Sequence, residues 1–542
     1  MGMLRERDDT TRYLCAAAHL DDRFTDRVIR EFLTQPTRTA PPVAGVRAGA
    51  VLAEAVAARA RRKFRDTLLV ILFASLLGTL SLSIVTAWLV VAVIVFVGLA
   101  RGDRAERPGV VRRLLPAVSG GLVAGALLTV LLLTGGSPAS YGAAPDLAPA
   151  SLLAAGLLGA MLVVLVVDEL VVWHHLGDRF TRGRRVPDPE PAQLSPQDRR
   201  VYFFGARHFL TQLRRQLRAP VRMAAPAEAG DESSDEADVE AAAPLIVARG
   251  YRVFIGAGRP YAPWSLAVPL RPRAHVERVA PLSAECLYER VTHAMGSLRD
   301  AACLGPGGRF ADLRVTEQVV VAAEELVGHL DNLDNLDRAG DFIARPNTAP
   351  YPLLRGQRVR ELREQPLEWA RYYLRFQVEA WDRDFVVSAF LHLAVSGTTL
   401  YVEWTPCVLL PVRKEYRAID ALPDSPLWPV ERAVRRFLTL PLTMPARLRG
   451  VCSVIRPERP RAGRPTPEMY GVAHSLRELA ADTDVQNYFQ LADRGRYLKV
   501  LESRLTGALV EVLDESGYEV TALARQAAIV ASGGMYLTRV AS

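Results

Sequence analysis

Lysine and cysteine are both scarce in this sequence. Of the 67 basic residues, all but Lys63, Lys414 and Lys499 are arginines. With abundant alanine, valine, proline and glycine, this skew is typical of a GC-rich bacterial genome, so an arginine cluster alone indicates little about function. The five cysteines are widely spaced and form no Cys-x-x-Cys pair, which argues against a disulfide scaffold or a zinc ribbon.

The common motifs of catalysis and cofactor binding are missing as well. The sequence contains no Gly-Lys-[Ser/Thr] of a nucleotide-binding P-loop and no Gly-x-Ser-x-Gly around a nucleophilic serine. No histidine after residue 175 has a second histidine four residues away, the spacing that helical zinc sites use. We therefore predict no catalytic residue, no cofactor and no metal ion, and the sequence favours a protein that is not an enzyme while leaving an enzyme as an open alternative.

Charge is missing between Asp66 and Arg101. As one helix this stretch would be about 50 Å long, against a bilayer core of roughly 30 Å, so it predicts a hairpin of two spans, 68–84 and 87–100. Two more apolar runs, 114–134 and about 152–173, complete four predicted transmembrane helices. Basic residues flank the block on both sides, which predicts a multi-pass bacterial plasma-membrane protein with both termini cytoplasmic.

The predicted fold is therefore an α-helical membrane bundle joined to a cytosolic α+β domain. Composition divides the chain into six segments. These are N-terminal helices at 1–66, the transmembrane region at 67–175, a basic juxtamembrane segment at 176–222, an acidic disordered linker at 223–243, the α+β domain at 244–425 and a helical region at 426–542.

Small residues in the third and fourth predicted spans suggest close helix packing. Gly121 and Gly125 share one face, and Gly156 and Ala160 share another, which predicts a homo-oligomer unless these are ordinary small residues of a span. Asp168 and Glu169 lie where the fourth predicted span nears the cytoplasmic side. An intramembrane carboxylate is by default a functional hypothesis, although a position near the interface explains this pair equally well.

A basic, aromatic helix is predicted over 199–218. Beside a membrane, such a helix is typical of a segment that binds anionic lipid headgroups, so the bilayer is the partner we expect here and nucleic acid is disfavoured. The alternative is ordinary flanking charge. The residues expected to contact headgroups are Arg199, Arg200, Arg207, Arg214, Arg215 and Arg218.

The clearest strand pattern lies between Tyr372 and Val412. Apolar residues alternate with polar ones in three runs separated by short turns, which predicts a three-stranded antiparallel meander. Earlier, Gly256, Gly258 and Arg259 follow a short strand and form a candidate ligand loop. The dinucleotide pattern requires a third glycine where Tyr261 stands, so a tight turn between strands is the alternative.

The functional hypothesis is a membrane-anchored module that binds a small molecule or a protein partner in a sensory or interaction role. Two alternatives remain open at this point. One is a signal-gated effector that perturbs the membrane, and the other is a membrane-anchored enzyme that acts on nucleotides or lipids.

Overall fold

The computed structural model divides the chain into two compact units. Unit 1 comprises Met1–Val56, Arg185–Arg417 and Arg456–Ser542, and unit 2 comprises Ala57–Arg184 and Ala418–Ile455. The structure describes residues 9–43, 45–78, 86, 88–95, 149–182, 186, 196–217, 242–274, 279, 281–301, 306–332, 336–381, 383–422, 425, 427–454, 464–521 and 523–525.

The helices are numbered in chain order. They are α1 (Asp9–Leu20), α2 (Asp22–Phe32), α3 (Ala48–Gly78), α4 (Pro149–Arg179), α5 (Pro196–Leu217), α6 (Ala284–Gly296), α7 (Ala323–Asp331), α8 (Leu336–Gly340), α9 (Gly356–Glu364), α10 (Lys414–Arg417), α11 (Leu427–Leu438), α12 (Leu440–Cys452), α13 (Pro467–Tyr470), α14 (Leu476–Ala480) and α15 (Tyr488–Glu515).

Unit 1 is built on an eight-stranded mixed sheet, in which the spatial order is β2-β8-β7-β6-β4-β1-β5 and β3 also pairs with β8. The three strands predicted between Tyr372 and Val412 are present as the antiparallel series β6, β7 and β8. Strand β1 pairs in parallel with β4. The strands are β1 (Ala243–Ala248), β2 (Arg259–Pro260), β3 (Trp264–Pro269), β4 (Arg314–Ala322), β5 (Leu353–Leu354), β6 (Ala370–Ala380), β7 (Phe385–Ser396) and β8 (Thr399–Leu409).

Strand β6 is buried on both faces. Its apolar residues, among them Leu374 and Phe376, belong to the main core with side chains from α6 and α15. The alternate residues include Arg375 and Glu379, which are also less than one tenth exposed. Because side chains of a strand alternate between its faces, the second face of the sheet is a buried layer that contains charged groups.

The N-terminal residues belong to the same unit as the C-terminal helices. Asp21 separates α1 from α2 and caps α2 by accepting hydrogen bonds from the amides of Arg23 (2.8 Å) and Phe24 (3.2 Å). Further along, Thr39 N donates to Tyr470 O at 3.2 Å, and Thr37 Oγ1 donates to Met469 O at 2.7 Å. Unit 1 is therefore assembled from distant parts of the chain.

Unit 2 is helical within its described residues. The part of α3 after Val56, with α4, α11 and α12, surrounds a small apolar core that includes Leu69, Met161 and Leu440. Trp88 stacks on Phe437 with 4.8 Å between the ring centroids. This core is separate from that of unit 1.

The predicted four-span membrane bundle is wrong, and so is the multi-pass plasma-membrane localisation. In the described ranges, one helix (Leu152–Arg179) is long and apolar enough to cross a membrane, while the chain forms a mixed α/β fold with an eight-stranded sheet. Length and hydropathy do not separate a span from a packed helix. Leu76 of the first predicted span and Leu165 of the fourth are both buried in the core of unit 2.

Several predicted segments fall largely or wholly outside the described residues. Of the second predicted span, residues 88–95 are described and helical. The third span, 114–134, and all but the last residues of the acidic linker, 223–243, lie outside the described ranges. The predicted interfacial helix is α5, and its aromatic side chains Tyr202 and Phe209 are buried within unit 1. Phe209 packs against Phe32 of α2 at 5.3 Å.

Candidate anion-binding site

The turn between β6 and β7 has an unusual backbone. Trp381 and Arg383 both have positive φ angles, 55° and 68°, although neither is glycine. Such conformations cost on the order of 1–3 kcal/mol each and persist where the surroundings enforce them. Here Asp384 N donates to Trp381 O at 3.0 Å, and Trp381 Nε1 donates to Asp493 Oδ2 at 3.0 Å. Strain of this kind is concentrated at functional sites, which directs attention to the charged groups around the turn.

Two carboxylates beside this turn already have arginine partners. Glu379, near the end of β6, is paired through Oε2 with Arg383 Nε at 2.9 Å. Its Oε1 accepts a hydrogen bond from Gln377 Nε2 at 2.8 Å. Asp384 is paired with Arg417 of α10. Neither carboxylate therefore depends on any further arginine for its partners.

Arg477 on α14 is buried beside these pairs without a hydrogen bond of its own. Its side chain is 1 % exposed. Within the described residues, none of its three guanidinium nitrogens has a hydrogen-bond partner. Burial lowers its pKa to about 10, and the charges of Asp384 and Glu379 only partly oppose this effect. A buried cation that makes no hydrogen bond is costly, so this side chain needs an explanation.

Local structure fixes the position of Arg477. Ser475 caps α14 by accepting a hydrogen bond from Glu478 N at 3.2 Å, and Glu478 Oε2 accepts from Ser475 N at 2.7 Å in return. The other end of the helix is held where Arg413 N donates to Ala480 O at 3.0 Å. This reciprocal capping box orients a helix of only five residues, and Arg477 with it.

A second buried arginine belongs to the same charged layer. Arg375 on β6 donates from Nη2 to Ser388 Oγ at 3.1 Å, and its guanidinium lies 5.5 Å from the centre of the Phe390 ring. Its Nε has no hydrogen-bond partner within the described residues. Burial also lowers the pKa of Arg375 to about 10. The same environment raises the pKa of the neighbouring Cys407 thiol, which is buried with it.

The described charges around the turn do not balance. The five described arginines exceed the four described carboxylates by one positive charge, and two of those arginines are almost completely buried. Arginine is well suited to hold an anion here, because its planar fork matches the oxygens of a carboxylate or a phosphate. The groups counted are Arg314, Arg375, Arg383, Arg417 and Arg477 against Glu379, Asp384, Glu478 and Asp493.

The glycine loop singled out in the sequence lies next to this site. Gly256 and Gly258 have positive φ angles of 86° and 90°, and their amides donate to Glu478 Oε1 at 2.9 and 3.0 Å. Backbone amides arranged in this way form a concavity that binds anions. In this protein the anion is the side chain of Glu478, the neighbour of Arg477. Arg259 instead donates through Nη1 to Thr483 O at 3.4 Å.

The other residues predicted from the sequence are placed elsewhere. Arg207, Arg214 and Arg215 are exposed on α5, while the side chains of Arg199 and Arg200, and all of Arg218, lie outside the described residues. Gly156 on α4 is exposed, and a Cβ added there would meet no described atom within 4 Å. Ala160 is half-buried on the same helix, and Gly121 and Gly125 fall outside the described ranges.

Sequence reasoning missed Arg375, Glu379, Arg477 and Glu478. The alternation along β6 does carry a signal, because its polar residues recur at every second position. That pattern predicts a solvated face, however, and here the face is covered by the 254–258 loop and α14. Phe254 of that loop stacks on Phe390 of β7 at 4.1 Å. No local pattern marks Arg477 as buried.

Comparison with known proteins places the chain in a family. A model of the AbeC-like domain matches residues 263–540, just over half of the chain, so this protein belongs to the AbeC-like domain family. No curated protein and no solved structure matches the chain. All nine charged residues counted for the candidate site, from Arg314 to Asp493, fall within the matched range.

Proposed function

We propose that unit 1 is a binding module whose ligand carries a negatively charged group, and that Arg477 recognises this group. The observation that carries the proposal is the burial of Arg477 without a hydrogen-bond partner among the described residues. Asp384 and Glu379, whose charges act on Arg477, are already paired with Arg417 and Arg383. A ligand oxygen would supply the missing acceptor.

The charge balance supports the same proposal. Among the described groups beside the turn the arginines exceed the carboxylates by one charge, which favours a ligand that brings a phosphate or a carboxylate group. Arg383 and Arg417 are partly exposed, at 30 % and 24 % of their side chains, and they mark the side from which a ligand enters. Because Glu478 follows Arg477 directly and holds the glycine loop, a ligand at Arg477 would also influence that loop. Such coupling suits the sensory or interaction role expected from the sequence.

The test is thermal unfolding of the full-length protein with inorganic phosphate, with succinate, and with chloride at matched ionic strength. A ligand at about a hundred times its dissociation constant adds about 2.7 kcal/mol to the free energy of unfolding. We expect such stabilisation with phosphate or succinate, and we expect Arg477→Met to abolish it. Arg290→Gln is the matched control, because Arg290 is an exposed arginine of unit 1 paired with Glu515.

The stability of Arg477→Met without ligand provides a second readout. Replacing a buried, unbonded cation by an apolar side chain of similar length is often neutral or stabilising. We therefore expect this variant to unfold at or above the wild-type temperature. A wild-type protein that responds to neither anion, together with a variant that is several kcal/mol less stable, would show that Arg477 serves the fold alone.

A further inference from the structure

Unit 2 contains a second charged cluster, independent of the first. Asp168 and Glu169, the carboxylates that end the apolar run of α4, are both buried, and Glu169 is 1 % exposed. Asp66 on α3 lies in the same cluster, because Arg65 is paired with both Asp66 and Asp168 at 2.9 Å. Arg65 therefore joins a carboxylate of α3 to one of α4.

Two further helices contribute arginines to the same carboxylates. Arg436 of α11 is paired with Glu169 Oε1 at 2.5 Å, and Arg432 Nε lies 3.3 Å from Glu169 Oε2. Arg447 of α12 is paired with Asp66. Arg61 Nη1 lies 3.1 Å from Asp168 Oδ1. Each of the three carboxylates is therefore shared by at least two arginines.

This sharing leaves an excess of positive charge. Among the described groups, five arginines are paired with these three carboxylates, an excess of two positive charges. Within the described part of the chain, Arg61 Nε is buried without a hydrogen-bond partner. Such an excess in a poorly solvated place is unfavourable unless an anion accompanies it. The groups counted are Arg61, Arg65, Arg432, Arg436 and Arg447 against Asp66, Asp168 and Glu169.

One edge of the cluster is open to solvent. The side chains of Arg61, Arg432 and Arg436 are each between one fifth and one third exposed, whereas their carboxylate partners are almost completely buried. Arg432 is held from the other side by the ring of Trp428, 4.7 Å from its guanidinium. Three arginines are thus fixed at a surface with part of their hydrogen-bonding capacity directed away from the buried carboxylates.

We propose that this edge of unit 2 is a second binding site, at which Arg61, Arg432 and Arg436 hold a phosphate group. Phosphate is the anion that fits, because it brings up to two negative charges and several acceptor oxygens to three partly exposed arginine forks. The phosphate group belongs either to a soluble molecule or to a lipid headgroup, and the chemistry of recognition is the same for both.

Calorimetric titration of the full-length protein with inorganic pyrophosphate tests the soluble source. We expect Arg436→Gln to weaken binding by roughly tenfold to a hundredfold, since a hydrogen bond to a charged group contributes about 1.5–3 kcal/mol. Arg435→Gln is the matched control, because Arg435 is the adjacent residue of α11 and is paired outside the cluster with Glu431 at 2.7 Å. Arg477→Met must leave this binding unchanged, which separates the site from the one in unit 1.

Co-sedimentation with vesicles tests the lipid source. Vesicles of phosphatidylcholine containing phosphatidic acid are compared with vesicles of phosphatidylcholine alone, using the same variants. Binding to the first but not the second, lost in Arg436→Gln and retained in Arg435→Gln, would assign a lipid phosphate. Pyrophosphate binding with the same variant pattern and no vesicle binding would assign a soluble ligand.

Glu169→Gln should change the affinity for pyrophosphate or vesicles in the direction opposite to Arg436→Gln. A variant that binds more tightly than the wild type cannot be explained by misfolding. It removes a buried negative charge that competes with the ligand for Arg432 and Arg436. We expect it to tighten pyrophosphate or vesicle binding severalfold. The proposal is overturned if neither probe binds the wild-type protein, if Arg435→Gln weakens binding as much as Arg436→Gln, or if Glu169→Gln weakens it.

Discussion

Removal of the Glu478 carboxylate is the sharpest perturbation that the structure offers. This side chain accepts three backbone hydrogen bonds, from Gly256 (2.9 Å), Gly258 (3.0 Å) and Ser475 (2.7 Å). A hydrogen bond to a charged group contributes about 1.5–3 kcal/mol, and an orphaned buried donor costs about 1–3 kcal/mol. Because such terms are not additive, we expect Glu478→Ala to destabilise the loop and α14 by on the order of 3–5 kcal/mol.

Glu478→Gln should have a smaller effect. Its amide oxygen still accepts from the two glycine amides, while its NH₂ group replaces the oxygen that accepts from Ser475 N, so one hydrogen bond becomes a contact between two donors. We expect a cost of roughly 1–3 kcal/mol for this change. The order of stability is therefore wild type, then Glu478→Gln, then Glu478→Ala.

Hydrogen exchange of the full-length protein, read by mass spectrometry, measures the effect locally. The peptide that contains residues 254–260 reports on the two glycine amides, and exchange in Glu478→Ala should be roughly a hundredfold faster or more. Glu511→Ala, a change at an exposed position of α15, is the control and should leave this peptide unchanged. If both Glu478 variants exchange like the wild type, the carboxylate does not hold the loop and the reasoning about this concavity fails.

Two further predictions concern glycine and pH. Gly258→Ala should lower the free energy of unfolding by more than about 3 kcal/mol, because a Cβ would lie 2.1 Å from Val408 O. Gly397→Ala, at a φ of 58° with no atom within 4 Å of the added Cβ, should lower it by only about 1–2 kcal/mol. Urea unfolding of the two variants measures both values. Burial lowers the pKa of His208, His392 and His474, so the unfolded chain binds more protons than the folded chain as pH falls below about 6.5. The urea concentration at the unfolding midpoint should therefore decrease as the pH is lowered from about 7 to about 5, and it should decrease less in His392→Asn than in the wild type. An equal decrease in the two proteins would contradict this account.

The meander was predictable because its information is local. Phe385, Val387 and Ala389 alternate with other residues on one strand, and a short turn at Gly397 leads to the next, so period and turn chemistry suffice. The parallel pairing of β1 with β4 was not predictable in this way. It joins Leu245 to Val319, which are far apart in sequence, and a strand period does not identify a partner.

Only part of the candidate site could be predicted from the sequence, for a related reason. The spacing of Gly256 and Gly258, which is a local property, predicted a candidate ligand loop or a tight turn. The group that fills it, Glu478, lies 220 residues or more away along the chain. The apolar runs led to the wrong prediction of a membrane bundle, because hydropathy alone does not show that Leu76 and Leu165 are buried against other helices.

The hydrogen bonds that tie residues 37–39 to residues 468–470 have a consequence for biosynthesis. Thr37 and Met469 are separated by 432 residues, so a ribosome has to synthesise almost the whole chain between making the two partners. At roughly 5–20 residues per second, this interval lasts on the order of 20–90 s. Throughout it the apolar faces of α1 and α2 lack their final neighbours. Newly made AbeC-like protein of this kind should therefore depend on chaperones that protect its N-terminal helices until translation is nearly complete.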